Sequence, residues 1–247
     1  MRIVAIKTEK ILPAKKSILE LLDKYLISVR EKSILAITSK IIALCEGRVA
    51  SKDEISKKKL IEKEAEYFIP PEESKYNISL TIKNGLLIPT AGIDESNVAG
   101  GYVLWPSNPQ KTANNIRKYL CKRFSLDKVG VIITDSKTSP LRWGTTGIAL
   151  AHSGFLALKN YIGKPDIFNK KLNVTKANIT DALATATNVV MGEGNEQTPI
   201  AVIEDIPFVA FQKRNPTQKE LDSLKISLED DLYAPLLTSV NWRERGK

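Results

Sequence analysis

Short apolar runs alternate with amphipathic segments along the chain, and this pattern predicts interleaved strands and helices. Strands are expected over residues 2–8, 33–39, 129–134 and 200–203, with a hairpin over residues 78–88 that turns at Asn84-Gly85. Helices are expected from Ser17, over residues 52–66, from Asn108-Pro109, over residues 175–191 and across residues 216–237. Because strands and helices mix without strict alternation, the pattern favours an α+β fold over a doubly wound parallel sheet.

The length of the chain sets the number of domains that it can form. Its 247 residues are enough for one large domain or two small ones with a self-sufficient core. The sequence shows neither an internal repeat nor a clear linker. We therefore predict a single unit over residues 1–247, with two intertwined subdomains as an open alternative whose boundary is not visible in the sequence.

The scarcity of histidine and cysteine excludes several kinds of catalytic site. His152 is the one histidine, so a zinc site with two or three imidazoles cannot form, and no G-x-S-x-G motif accompanies it for a serine triad. Cys45 and Cys121 form neither a disulfide framework nor a metal-binding pair, and we interpret both as small buried or half-buried hydrophobic residues. We interpret His152 as a hydrogen-bonded structural residue. Any catalytic metal must be a hard ion held by oxygen.

The charge balance indicates anionic partners. Lys and Arg number 37 against 28 Asp and Glu, which gives a net charge of +9. Nucleic acid, a membrane surface and small polyanions would all fit, but residues 52–66 interleave lysines with carboxylates and aromatic residues make up only 6% of the chain, which disfavours nucleic acid. No apolar run is long enough to span a membrane, so we expect a cytoplasmic protein without nucleic-acid or membrane partners.

Three loops carry side-chain oxygens that would suit a hard metal ion. They contain Asp94 with Asn97, Asp135 with Ser136, and Glu193. Each also has an ordinary interpretation, namely an Asx-turn, a strand-ending turn residue and an exposed loop acid. The three loops are far apart in the sequence, so spacing alone does not unite them. Phosphate-binding P-loop and dinucleotide-binding motifs are absent from the sequence.

Six motifs follow one another between residues 38 and 204. They are residues 38–48 (TSKIIALCEGR), 91–97 (AGIDESN), Pro106 with Pro109, 134–136 (TDS), Arg142 with Gly144, and 190–192 (VMG) followed by Pro199. In this order they resemble the coenzyme F420:L-glutamate ligase family. The resemblance implies an α+β fold of mixed, largely antiparallel sheets with flanking helices, a homodimer, and a GTP-dependent γ-glutamyl ligase that uses two divalent ions, Mg²⁺ or Mn²⁺. ATP in place of GTP stays open.

The same resemblance assigns roles to individual residues. It implies that Asp94 and Asp135 hold one ion and that Ser136 and Glu193 hold the second. It implies a catalytic set of Asp94, Asp135, Lys40 and Arg142, and the following nucleotide-binding residues: Leu12, Pro13, Ser39, Lys40, Asn97, Gly192, Gly194, Asn195 and Glu196. Arg142 would bind a carboxylate of glutamate or of the acceptor, with a structural ion pair as the equal alternative. Trp143 would stack on a flat acceptor or lie in the core.

The segment over residues 135–143 (DSKTSPLRW) departs from the family pattern and bears on the acceptor. Members that act on the deazaflavin coenzyme usually have a Gly-Arg pair here, whereas this loop resembles that of bacterial relatives assigned to folate metabolism. The first hypothesis is therefore a ligase that joins L-glutamate to the γ-carboxylate of a folate-type acceptor through an acyl phosphate. A deazaflavin acceptor, coenzyme F420-0, is the alternative, and a non-catalytic nucleotide- or nucleic-acid-binding protein is an alternative of another class.

Overall fold

The computed structural model describes residues 1–98 and 100–246, which form thirteen strands and seven α-helices within those ranges. The strands are β1 (Arg2–Ile6), β2 (Ile34–Thr38), β3 (Val49–Ser51), β4 (Tyr67–Ile69), β5 (Leu80–Lys83), β6 (Leu86–Pro89), β7 (Gly101–Val103), β8 (Gly130–Thr138), β9 (Thr145–Ser153), β10 (Leu158–Asn160), β11 (Lys176–Asn178), β12 (Ile200–Glu204) and β13 (Arg243–Glu244). The helices are α1 (Ile18–Tyr25), α2 (Ser39–Cys45), α3 (Lys57–Glu64), α4 (Pro109–Phe124), α5 (Ile179–Met191), α6 (Gln218–Asp222) and α7 (Ala234–Leu237).

A five-stranded mixed sheet in the order β1-β12-β2-β8-β9 forms the larger part of the fold. Its central pair, β2 and β8, is parallel, whereas its other pairs are antiparallel. Side chains of β8 alternate between two cores. Ile133 packs with Ile116 and Leu120 of α4, and Ile132 packs with Leu183 of α5. Both faces of this sheet are therefore covered by helices, which explains why β2, β12 and the first half of β8 are nearly continuous apolar runs.

A second, smaller assembly has its own core. The sheet β13-β4-β5-β6 and the pair β3-β7 are antiparallel, and Leu60 of α3 packs with Phe68, Ala91 and Tyr102. The chain leaves the main sheet after α2 and returns to it through α4, so β3 to β7 and α3 form an insertion between two neighbouring strands of the main sheet, and β13 adds to it from the C-terminal tail. The division of the chain into subdomains stays a prediction.

The predicted fold class is confirmed, as are several predicted boundaries. Ser17 caps α1 in a complete capping box with Glu20. Asn108 caps α4 and Pro109 is its first residue. Gly192 ends α5 with a φ of 75°. No helix in the described ranges is long and apolar enough to cross a membrane.

Two predicted helices are shorter than the sequence pattern indicates. The charged segment over residues 52–66 is helical only over Lys57–Glu64, where Ser56 caps its first turn. The tail over residues 216–237 forms only the short helices α6 and α7, and neither buries a residue. Helices of this length need tertiary packing for stability, and the leucines of this tail are at most half-buried.

The predictions around the site also need correction. Strand β8 does not end at residue 134 but runs to Thr138, so Asp135 and Ser136 lie within a strand rather than in a turn after it. Strand β9 follows in a segment where the Gly, Ser and Thr content gave no strand signal. Small residues are required there, because a Cβ on Gly147 would lie 2.4 Å from the carbonyl carbon of Ala184 in α5. Helix α5 begins at Ile179 rather than residue 175, since residues 176–178 pair with β10.

Candidate active site

The candidate site lies at the edge of the main sheet where β2 ends and its parallel pairing with β8 stops. Thr38 pairs with Thr134, so Lys40 in the first turn of α2 and Asp135 in β8 reach the same edge. Ligands commonly bind outside the carboxyl ends of parallel strands, because side chains from different strands converge there. A register shift between Ile133 and Thr134 separates this polar end of β8 from its buried part.

Asp94 is brought to this edge by the smaller assembly. Its backbone forms a bridge with Val103, through hydrogen bonds of 3.0 and 2.8 Å, and Val103 packs against α2. Its carboxylate forms an ion pair with Lys40 and accepts hydrogen bonds from the backbone N–H and hydroxyl of Ser96, at 2.8 and 3.0 Å. Burial alone would raise the pKa of Asp94, but the lysine and serine contacts outweigh it and hold the pKa below its usual value. Asp94 is therefore ionised at neutral pH.

Asp135 has a different electrostatic environment from Asp94. Its Oδ1 accepts the backbone N–H of Ser136 at 2.8 Å, and its Oδ2 accepts the indole N–H of Trp105. Burial raises the pKa of Asp135 to about 6, and the negative charge of Asp94 adds to this, while the two hydrogen bonds and Lys40 oppose it. Two carboxylates are thus close enough to repel each other at this edge.

Ser136 and Glu193 form a second oxygen pair next to the first. The Ser136 hydroxyl donates to the Glu193 carboxylate, with oxygen–oxygen distances of 2.7 and 2.9 Å. Asn188 of α5 donates to both, at 3.3 Å to Ser136 and 3.0 Å to Glu193 Oε1. Because α5 packs against β8 and β9, it fixes the loop after its C-terminus above these strands.

The loop over residues 192–197 joins the Asp94 loop. The Asn97 amide donates to the Gly194 carbonyl at 3.0 Å, which connects two of the three oxygen-bearing loops. Glu196 folds back within its own loop and accepts the Gly194 N–H at 2.8 Å. The Glu196 carboxylate also fills the space beside Gly192, since a Cβ added to Gly192 would lie 2.4 Å from the Glu196 carboxyl carbon. Glu196 therefore shapes the loop in this structure, rather than extending from it.

The remaining predicted site residues lie at different distances from this centre. Ser39 is buried at the start of α2, and Asn195 is exposed on the loop. Leu12 and Pro13 lie in the segment between β1 and α1, whose Thr8 N–H donates to Gln197 at 2.8 Å. Arg142 is exposed in the turn between β8 and β9, where the described contacts place it beside none of Asp94, Asp135 or Glu193. The neighbouring Trp143 is 93% exposed, so its prediction as a core residue is wrong.

The donor set fits hard divalent cations. Carboxylate and hydroxyl oxygens are the ligands that Mg²⁺ and Mn²⁺ prefer. Within residues 1–98 and 100–246, however, no three Asp, Glu, His or Cys side chains cluster closely enough to hold an ion by themselves. The candidate oxygen ligands come as the two pairs described above, Asp94 with Asp135 and the Ser136 hydroxyl with Glu193, and Mg²⁺ bound to so few protein oxygens takes water and substrate phosphates as its other ligands.

Three residues of the site were not predicted from the sequence. Ser96 and Asn188 hydrogen-bond the predicted acids, and Trp105 donates to Asp135. Ser96 stands inside the 91–97 motif and Trp105 directly precedes Pro106 of another, so the motifs pointed to their neighbourhood. Asn188 lies in the predicted helix without a distinguishing signal, because its role depends on how α5 docks.

The histidine and cysteines take no part in this site. His152 is buried, but its Nε2 has no hydrogen-bond partner among the described residues, so the predicted hydrogen bonding is wrong for that atom. Burial raises the pKa of the Cys45 thiol to about 11, which suppresses the reactive thiolate. Both cysteines are free, as expected.

Comparisons with known proteins identify the family of the chain. The family model described as F420-0:Gamma-glutamyl ligase matches residues 5–205. Coenzyme F420:L-glutamate ligase of Methanococcus maripaludis (strain C7) is 35% identical over 229 residues, which cover 87% of this chain and 89% of that protein. The ligase of the same name from Methanocaldococcus jannaschii is 34% identical over 208 residues, covering 76% of this chain and 82% of that protein. The chain therefore belongs to the F420-0:γ-glutamyl ligase family and is a ligase.

Proposed function

We propose that the chain joins L-glutamate to a carboxylate of a deazaflavin-type acceptor, coenzyme F420-0, at the expense of GTP and with two divalent cations. The observation that carries this proposal is the convergence of Lys40, Asp94, Asp135, Ser136 and Glu193 at one edge of the main sheet. These residues come from four separate parts of the chain. Their convergence supports one reaction centre better than unrelated loops would.

The reaction needs an activated carboxylate, because an ammonium and a carboxylate do not condense in water unaided. The acceptor carboxylate would attack the terminal phosphorus of GTP, giving an acyl phosphate and GDP. The deprotonated amine of glutamate would then attack the acyl carbon, forming the amide and releasing phosphate. Neither step needs a histidine or cysteine nucleophile, which agrees with their absence from the site.

The residues present would serve phosphoryl transfer mainly by positioning and charge neutralisation. Asp94 and Asp135 would hold one cation, and Ser136 and Glu193 the other. Divalent cations supply neutralisation of the phosphate charge that develops during transfer. Lys40, which contacts Asp94, would also bind a phosphate oxygen, and Asn97 and the loop over residues 192–196 would lie along the nucleotide.

The relatives favour the deazaflavin acceptor over the folate-type acceptor that the 135–143 segment suggested. The reported relatives are named coenzyme F420:L-glutamate ligases and come from archaea, which gives no support to the bacterial folate branch. Residues 135–138 of this segment belong to β8, and residues 139–143 lie in the exposed turn after it, with the Leu141 and Trp143 side chains uncovered. An exposed turn tolerates sequence change, so its departure from the family pattern does not by itself indicate a different acceptor.

The experiment is an assay with purified protein, L-glutamate, GTP and Mg²⁺, supplied in parallel with F420-0 or a reduced folate. We expect mass spectrometry to show the mass of one or more glutamyl residues added to F420-0, with GDP formed in equal amount. Asp135→Asn is the matched inactive control, because it removes a charge while keeping the shape of the side chain. Glutamylation of the folate alone would contradict the proposed acceptor, and an active Asp135→Asn enzyme would contradict the metal assignment. Replacing GTP by ATP in the same assay tests the nucleotide.

The remaining partner expectations follow from the family resemblance. A homodimer stays a prediction, which sedimentation of the purified protein would test. Arg142 stays a candidate for binding a substrate carboxylate, because its side chain is exposed and free to move toward one. Arg142→Lys tests whether Arg142 binds a substrate carboxylate or serves only in a structural ion pair. A raised KM for glutamate or acceptor supports binding, and unchanged kinetics contradict it.

A further inference from the structure

Trp105 makes a contact with Asp135 that joins the two assemblies of the fold. Its ring is 3% exposed, and its indole N–H donates to Asp135 Oδ2 from the segment that follows β7. The other oxygen of Asp135 accepts the Ser136 N–H at 2.8 Å. Both oxygens are thus held by donors, so the plane of the carboxylate is fixed. Each oxygen keeps a further lone pair for another partner.

The Trp105 ring is held in place by a glycine that the backbone geometry requires. A Cβ on Gly92 would lie 2.0 Å from Trp105 Nε1 and 2.3 Å from Cε2, so no other side chain fits there. Gly92 also has a φ of 70°, which L-residues rarely adopt, and it follows Thr90 and Ala91 with φ values of 55° and 52°. This conformation is costly for Thr90 and Ala91, and it places the backbone of residue 92 directly against the indole.

A buried charged group supports the ring from another side. The Lys83 ammonium lies 5.2 Å from the Trp105 ring centroid and pairs with Glu64 at 2.7 Å. Arg48 pairs with the same Glu64 at 3.1 Å and donates to the Trp105 carbonyl at 3.1 Å. Buried ion pairs add little net stability on average, but they hold groups in one arrangement. The contacts run from α3 and β5 through Trp105 to Asp135.

We infer that Trp105 is a positioning residue that orients Asp135 for a divalent cation, and that Gly92 and the Lys83–Glu64 pair hold Trp105 in the position where it can do so. This inference rests on the proposed function, because it takes Asp135 as a ligand. Hydrogen bonds from surrounding residues orient metal ligands, and their loss typically costs about 10- to 100-fold in metal affinity. The alternative is that Trp105 only fills space between the two assemblies.

The test is Trp105→Phe, which keeps a buried aromatic ring and removes the N–H donor. Trp242→Phe is the matched control, because the indole of Trp242 also donates a hydrogen bond, at 2.7 Å to the Leu237 carbonyl, but in the C-terminal tail. Mn²⁺ binding is measured by electron paramagnetic resonance on protein with and without GDP, and kcat and KM for Mg²⁺ are measured separately. We expect Trp105→Phe to weaken Mn²⁺ binding about 10- to 100-fold, and Trp242→Phe to bind like wild type.

The outcomes separate the inference from the proposed function. Weaker Mn²⁺ binding by Asp135→Asn, together with wild-type binding by Trp105→Phe, would overturn the inference alone. Wild-type binding by Asp135→Asn, or no Mn²⁺ binding by any form of the protein, would overturn the metal assignment and the inference together. If Trp105→Phe does not fold, 3-benzothienylalanine at position 105 replaces only the N–H by sulfur. The same loss of Mn²⁺ affinity is then expected, and wild-type affinity would overturn the inference.

Discussion

Acid should destabilise the protein through His152, which is 1% exposed and lies edge-on to Phe155 at 5.4 Å between ring centroids. Burial lowers the pKa of this imidazole from 6.5 to about 4, and the nearby charge of Glu220 opposes this only in part. The folded state therefore favours the neutral ring. The contribution of the neutral ring to the free energy of unfolding is fully present above pH 6.5 and is lost as the pH falls toward 4. With one pKa unit equal to about 1.4 kcal/mol, the loss is about 2 kcal/mol at pH 5 and about 3 kcal/mol at pH 4.

The measurement uses the fact that the chain contains a single histidine. In protein without an affinity tag, carbon-13 labelling of histidine gives one imidazole signal, whose midpoint we expect near pH 4. Urea unfolding of wild type and His152→Gln at pH 7 and pH 5 then tests the energy. Wild type and His152→Gln share the same acid-sensitive carboxylate contacts. The difference between their losses of stability from pH 7 to pH 5 therefore measures the effect of protonating His152. An imidazole midpoint between pH 6 and 7 in the folded protein, or an equal loss of stability in the variant, would refute the reasoning.

Three further predictions concern the site and the packing of β9 against α5. Ser136→Ala should lower kcat/KM about 10-fold or more, because a hydrogen bond to a charged group is lost, while Ser136→Thr should keep most activity in the same steady-state assay. Lys40→Met should lower GTP-dependent turnover at least about 100-fold, whereas Lys16→Met, at an exposed ion pair, should stay within about twofold. Gly147→Ala should destabilise the fold by about 1–3 kcal/mol in urea unfolding, since its Cβ would overlap α5. Gly194→Ala should not destabilise the fold in this way, because its Cβ would lie 3.4 Å from the Glu196 carboxylate oxygens, an ordinary contact distance.

The parts of the fold that the sequence predicted are those where local signals and burial agree. The capping box at Ser17, the Asn108-Pro109 helix start and the Asn84-Gly85 hairpin all combine a specific local motif with an apolar pattern next to it. Strand β9 lacked such a signal, because its tight packing against α5 requires Gly147 where a strand pattern would favour a branched residue. Tertiary packing, rather than local preference, decides such a segment.

The candidate site was predictable in its residue types but not in its contacts. Carboxylates near the ends of apolar strands gave Asp94 and Asp135, and family motifs joined them to Glu193. The sequence could not show that Trp105 reaches Asp135, because this contact depends on how an insertion folds back on the sheet that it interrupts. Nor could it show that Arg142 stands in an exposed turn, since that follows from the full length of the β8–β9 hairpin.

The charged residues at the site are mainly acidic, in contrast to the net positive charge of the chain. Asp94, Asp135 and Glu193 bring three carboxylates to one edge of the sheet, and Lys40 forms an ion pair with Asp94 there. A triphosphate approaching this edge would therefore meet a negative local field, although the chain as a whole carries +9. The surplus of lysine cannot by itself explain nucleotide binding here. Divalent cations bound together with the phosphates reverse the local charge, so GTP should bind tightly only with Mg²⁺ or Mn²⁺ and weakly when a chelator is present.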